Sequence, residues 1–358
     1  MEENKTNFRF AAVDPYVERN IVGAREQKSH ADWYQWGDGN AYPDYLLHLY
    51  KECAPLKSVI DGLVDYICGD GANVTKALQT VNGSAAMNKK GETIDDIVRQ
   101  MALNYAVYHG LALQIIRNAM GDVAEIYVIP TRYIRTDKEN EVFWYSEDWG
   151  KSSRVKTITY PKFLPGNNRN EECATSILYW NGNDYQVYPM PIYAAAVKAC
   201  ETAIAIDDFH INEISNGFMG SYIVNFNNGF PETDQIKDEI ERDFNEKFSG
   251  SSNAGRIMLS WNSDKDHAVT LQKMEVADYG DKYETLSTHC RRQIFTAFRA
   301  NENLFGMPTA SGFNNEEYES SFRLFNRTMV RPAQDIICGL LDKATGVAGN
   351  ITINPFTM

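Results

Sequence analysis

Residues 192–216 contain neither proline nor glycine, and Gly217 comes at once as a helix stop. At ~1.5 Å per residue such a segment makes a rod about 37 Å long. Two apolar stripes run along it. Ile192, Ala196, Ala199, Ala203 and Ile206 step by four and three, and Val197, Cys200, Ile204, Ile211 and Ile214 form the second. A helix apolar on two sides must be buried on two sides. It is therefore either the central helix of a core or a helix wedged between neighbours, whose close approach its alanines would allow.

The segments after Gly217 are short and alternating. Tyr222, Val224 and Phe226 read as a half-buried strand, as do Ile257, Leu259 and Trp261. Between them Thr233 can cap a helix in which Ile236, Ile240, Phe244 and Phe248 recur every four residues. This strand–helix–strand unit buries little and is expected to pack against copies of itself. A second long helix is predicted over 281–300, with Tyr283, Leu286, Cys290, Ile294 and Phe298 on one side. Residues 301–313 carry Gly306, Pro308 and Gly312 and read as an ordered loop. A last helix starts at Asn314 with Glu317 three later and bears Tyr318, Phe322, Phe325, Met329, Ile336 and Leu340. Pro332 is expected to kink it and Gly346 to end it.

Upstream, residues 43–190 read as one α+β module. A helix begins near Pro43, is interrupted at Pro55, and shows Leu56, Val59, Ile60, Leu63 and Ile67 on one face up to Gly69. Thr93 and Asp96 resemble a capping box for a helix carrying Ile94, Ile97, Met101 and Tyr105. Strands are predicted at 111–117, 123–129, 132–135, 142–145, 155–160, 177–180 and 185–188, the last after an Asn181-Gly182 turn. Residues 73–91 read as a loop. Residues 1–42, polar with Trp33 and Trp36, read as a mobile or docking arm.

The charge balance narrows the function. With 35 basic and 48 acidic side chains the net charge is −13, and no basic stripe of the kind that grips phosphates is visible. That acid excess means ordinary solubility or a wall past which DNA slides unheld. No apolar run approaches the roughly 18 residues needed to span a bilayer, and the polar start carries no signal peptide. Six scattered cysteines without a Cys-x-x-Cys pair argue against structural zinc and a disulfide scaffold, and fit a reducing compartment.

Catalytic constellations are not found. Gly150-Lys151-Ser152 resembles the tail of a phosphate loop, but Tyr145 stands where that motif needs glycine, and Glu147 and Asp148 would repel phosphate. Asp264, Asp266 and His267 read as a solvated turn, since no second cluster closes a metal site. His210 and His289 fall on helical faces, with no nucleophile beside any histidine.

The order of parts resembles the portal protein family of tailed phages. Met190-Pro191-Ile192-Tyr193 opens the first long helix and Asn216-Gly217-Phe218 ends it. Asn225-Phe226-Asn227-Asn228-Gly229-Phe230-Pro231 leads into the small insertion, and Phe248-Ser249-Gly250 with Asn253-Ala254-Gly255-Arg256 leads out. Phe305-Gly306-Met307-Pro308 and Asn314-Asn315-Glu316-Glu317-Tyr318 come after the second long helix. The chain is short for that family, and residues 1–42 match no part of it.

The resemblance implies an α+β portal-like architecture: an arm (1–42), a wing (43–190), a stem helix (191–217) and a clip (218–262). A second stem region (263–300), a tunnel loop (301–313) and a helical crown (314–358) complete it. It implies a subunit of a ring, twelvefold in the particle, at the capsid vertex of the virion, assembled in the bacterial cytoplasm. DNA would pass this channel during packaging and ejection without tight binding. The implied partners are the terminase large subunit, the head–tail adaptor, and the major capsid and scaffolding proteins. No membrane, cofactor, metal or catalytic residue is expected. Asn301, Asn303, Leu304, Phe305 and Met307 are the candidates to line the channel. Ala196, Ala199, Ala203 and Ile206 are the candidates for the contact between stems. The alternatives are another head component, such as a minor capsid or head-completion protein, or a terminase-like packaging enzyme.

Overall fold

The computed structural model describes residues 26–28, 32–75, 86–150, 156–166, 174–183, 186–215, 222–226, 257–261, 279–306 and 315–356. In chain order these form β1 (Gln27–Lys28), β2 (Tyr34–Gln35), α1 (Tyr42–Glu52), α2 (Ala54–Cys68), β3 (Ala72–Val74) and α3 (Ile94–Tyr108). Next come β4 (Gly110–Arg117), β5 (Val123–Ile129), β6 (Ile134–Thr136), β7 (Val142–Tyr145), β8 (Ile158–Pro161) and β9 (Thr175–Asn181). The remainder is α4 (Val197–Ser215), β10 (Tyr222–Phe226), β11 (Ile257–Trp261), α5 (Tyr279–Ala297), α6 (Asn315–Phe325), α7 (Arg331–Thr345) and β12 (Ile351–Ile353).

The chain divides into two compact units. The first holds residues 1–47, 78–91 and 110–189; the second holds 48–77, 92–109 and 190–358. Helices α2 and α3, expected from sequence to belong to the wing, thus fold with the long helices instead. The reason is their apolar faces: Leu56, Val59, Ile60, Leu63 and Ile67 of α2 are fully buried, and α2 packs on both α3 and α5.

The first unit is antiparallel β. One sheet has the order β5-β4-β9 and the other β6-β7-β8. Ala112, Ile129, Ile134, Phe143 and Ile177 form its core, flanked by Tyr133, Tyr145, Tyr160 and Tyr179. Part of the expected arm is built into this unit. Trp36 is buried and stacks on Tyr188 at 5.0 Å, and Trp33 meets Trp149 edge-on. Residues 1–25 lie outside the described residues. The strand expected at 185–188 is absent from 186–188, which bend. The Asn181 side chain donates to the carbonyls of Gln186 and Val187, and the Glu26 carboxylate accepts from the amides of Val187 and Tyr188. Those groups are therefore unavailable to a ladder.

In the second unit local chemistry sets the ends of elements. Pro55 in the first turn of α2 fits the break at Cys53, whose φ of −87° and ψ of 102° are extended. The Thr93–Asp96 capping box is present in both directions, the Thr93 amide donating to Asp96 Oδ2 at 2.8 Å. Residues 194–196 form a 3-10 turn, so the first long helix begins at Val197 instead of Ile192. Pro332 sits in the first turn of α7, and the last helix is irregular just upstream of it, as a wide π turn over Asn326–Val330. Proline lacks the amide that an α register would require there. Gly346, at φ 71°, ends α7. Asp342 then accepts from the amides of Gly349, Asn350 and Ile351, turning the chain into β12, which pairs antiparallel with β3. Neither of these two strands is expected from the sequence.

Candidate functional site: the paired long helices and the turn after them

Helices α4 and α5 run antiparallel. Tyr193 stacks on Phe298 at 5.6 Å at one end, and Phe209 meets Tyr283 at 4.9 Å at the other. Cys200, Ile204, Cys290, Ile294 and Phe295 are buried in the same unit. The residues expected at the stem contact are largely covered in the single subunit. Ala196, Ala199, Ala203 and Ile206 are all buried within the chain, at 3%, 4%, 8% and 6% exposure. The small side chains let α5 approach α4. Solvent instead meets Ala195, Lys198, Ala205, Phe209 and Ile211 on α4 and the turn before it, and Leu286 on α5.

Between these helices the chain contributes β10 and β11, paired in parallel from Tyr222 opposite Ile257 to Phe226 opposite Trp261. Parallel neighbours need a crossover connection. The helix predicted for that crossover lies outside the described residues.

The turn after α5 is anchored. Asn301 caps a 3-10 turn over Glu302–Phe305, and its side-chain amide donates to Ser321 Oγ at 3.0 Å. Asn303 and Leu304 are buried, and the Leu304 carbonyl accepts from the Tyr66 hydroxyl at 3.2 Å. The Phe305 ring stands edge-on to Tyr66, Phe295 and Phe325. Asn303, Leu304 and Phe305 are expected from sequence to line a channel; in the single subunit Asn303 and Leu304 are buried and the half-buried Phe305 ring packs in this aromatic cluster. Met307 lies outside the described residues.

Among the described residues, several groups that could carry chemistry have structural partners. The Cys53 and Cys200 thiols hydrogen-bond to each other, with Cys290 close by. That bond and burial push the Cys200 thiol far up, so it stays protonated. No cluster fit for a metal ion occurs among the described residues. The Gly150 amide already donates to Asp148 Oδ1 at 3.0 Å, so it is not open to a phosphate. His210 packs on Phe209 and Tyr283, and the His289 ring meets the Gln293 amide at 2.9 Å. Lys151, Ser152, Asp264, Asp266 and His267 lie outside the described residues.

Residues 87–349 match the family described as phage portal protein. Among solved structures, a chain in the virion of the native gene transfer agent particle matches with a TM-score of 0.52 at 16% identity, over 93% of this chain and 86% of that one. A chain in the neck of the empty gene transfer agent particle, computed with C6 symmetry, gives 0.54 at 14% identity over the same shares. An HK97 family phage portal protein from Corynebacterium diphtheriae matches at 12% identity over 86% of this chain and 94% of that one, with a TM-score of 0.48. No curated protein matches.

Proposed function

The chain belongs to the phage portal protein family, and on that premise we propose that it assembles into a ring at the capsid vertex of a virion and conducts DNA. The observation that carries this reading is the antiparallel α4–α5 pair bracketing a parallel two-stranded insertion. Long paired helices give neighbouring copies a wall to form, and the insertion between them projects a separate surface. The first unit serves as the wing. The ring is a homo-oligomer, twelvefold in the particle. The insertion docks the terminase large subunit during packaging and the head–tail adaptor afterwards. The remaining surface meets major capsid and scaffolding proteins.

Conduction without chemistry is the second half of the proposal. The subunit holds no cofactor and hydrolyses nothing, and the motor is a separate protein. Its net charge of −13 disfavours tight binding of duplex DNA, which favours sliding over clamping. Electron microscopy of the purified protein tests the reading, with end-on rings around a central hole as the expected image. A uniform field of monomers would refute it. Phosphate release and plasmid nicking should both stay at background, and metal-dependent nicking that tracks the protein would favour a packaging enzyme.

A further inference from the structure

Helices α6 and α7 are joined by the π turn Asn326–Val330. In an α-helix, residues four apart drift by about 40° around the axis, because 3.6 residues complete a turn. A wider turn takes up that drift, and π turns of this kind occur often at functional positions. Here it brings Arg323, Arg327 and Arg331 into one column. With Asn326 and the buried ring of Phe322 they line an open pocket of about 450 Å³. This column is a basic stripe, hidden in the sequence because its arginines are spaced by four.

The charges of this column are only partly met. Arg323 pairs with Glu319 one turn back, at 2.9 Å. Arg327 and Arg331 are exposed and make no ion pair among the described residues. Like charges four apart on a helix repel, so each of these arginines raises the cost of the next. A ligand with its own repeated negative charge removes that repulsion and fills the pocket. The planar guanidinium fork suits phosphate oxygens in particular.

We propose that the Arg323–Arg327–Arg331 column binds the phosphate backbone of duplex DNA. The proposal rests on the portal reading, since a portal subunit meets DNA at close range. The contact is electrostatic and indifferent to base sequence. One weak column per subunit, repeated around a ring, touches DNA at many points and holds it at none.

The test is fluorescence anisotropy of a short labelled duplex against the full-length assembled protein over a salt series. Wild type is compared with Arg327→Gln/Arg331→Gln. A control variant, Lys51→Gln/Lys343→Gln, removes the same charge from exposed positions on α1 and α7. Binding should be weak at physiological salt and rise as salt falls. Losing two phosphate contacts should flatten the log–log salt slope by about 1.8 for each column engaged, while the control keeps the wild-type slope. Equal losses in both variants would make the effect general charge, and the proposal falls. It falls equally if the arginine variant binds DNA as wild type does, or if that variant disperses the ring at unchanged DNA slope, which would make the column a subunit contact. Electron microscopy of the same samples separates the two levels: rings that form without an arginine effect refute the column and leave the portal reading standing.

Discussion

Arg135 Nε donates to Asn40 Oδ1 at 2.8 Å, across 95 residues of chain, and both side chains are buried. The same Asn40 oxygen accepts from the Trp36 amide at 2.9 Å, and the Asn40 carbonyl accepts from Arg135 Nη2 at 3.1 Å. Nη1 donates to the carbonyls of Arg132 and Ile134, and the guanidinium lies 4.8 Å from the Trp149 ring centre. Burial pushes Arg135 down to about 10, with Tyr188 and Asp44 acting the other way, so it remains charged at neutral pH. A buried cation is thus balanced by amide dipoles and aromatic faces, with no carboxylate bonded to it among the described residues.

Asn40→Ala should therefore destabilise the first unit strongly. It leaves two buried donors unmet, each costing about 1–3 kcal/mol. Alanine must also adopt the positive φ of 65° that asparagine tolerates. Denaturant unfolding of the full chain followed by tryptophan fluorescence should show a loss of about 3 kcal/mol. Arg135→Lys should be nearly as damaging, because a point charge cannot serve four acceptors.

Gly62 and Phe305 should be coupled. A Cβ on Gly62 would lie 2.4 Å from the edge of the Phe305 ring, so the ring must leave its place in the aromatic cluster. Gly62→Ala alone should cost about 1–3 kcal/mol, as overpacking does, despite alanine's better helix propensity. In a Phe305→Ala background the same change should be neutral or stabilising, by up to about 1 kcal/mol. A thermal-melt double-mutant cycle measures the coupling, and additive effects would mean the ring is not seated there.

Legibility in the sequence tracks the range of the interactions. The Thr93–Asp96 box, the Pro55 break and the strands at 123–129, 142–145, 222–226 and 257–261 are local events, and local residue patterns identify them correctly. The stripe Ala196, Ala199, Ala203 and Ile206 is recognisable as buried, but periodicity cannot say by what, and α5 of the same chain covers it. The segment 301–313 reads as an ordered loop from Gly306, Pro308 and Gly312. Its fate depends on Tyr66 and Phe325, remote in sequence. Ala72–Val74 and Ile351–Ile353 are too short to show a period, so their pairing is invisible without the fold.

Acid should weaken the second unit through His109. This residue ends α3 in the left-handed conformation, at φ 58°, with its ring edge-on to Tyr105. Burial holds its imidazole below the usual range, against the opposing effect of a hydrogen bond with the Met190 backbone. With a lower folded value, the unfolded chain binds the proton first. Stability then falls as pH drops through about 6.5 and levels off once the folded value is passed. His109→Asn keeps the left-handed backbone and removes the titration. Melting temperatures between about pH 8 and pH 5.5 should decline in wild type and run flatter in the variant.

The long helices supply the sharpest separation of folding from assembly. Ala199 is 4% exposed on the side of α4 that packs within its own subunit. Ala199→Glu puts a carboxylate beside buried thiols and aliphatic groups without a partner, and an unpaired buried charge of this kind costs about 3–5 kcal/mol. The subunit itself should melt early or fail to fold, and loss of the ring would then be secondary. Ile211 is 60% exposed on the same helix, and Ala205 also meets solvent. Substitutions at such positions shift monomer stability by about 0.5 kcal/mol or less. If neighbouring stems meet across these exposed positions, which lie about 120° apart around the axis of α4, Ala205→Glu/Ile211→Glu should leave the melting profile of the monomer intact. Its rings should fall apart in native mass spectrometry. Intact rings in that double variant would move the contact between subunits to another face of the helix pair.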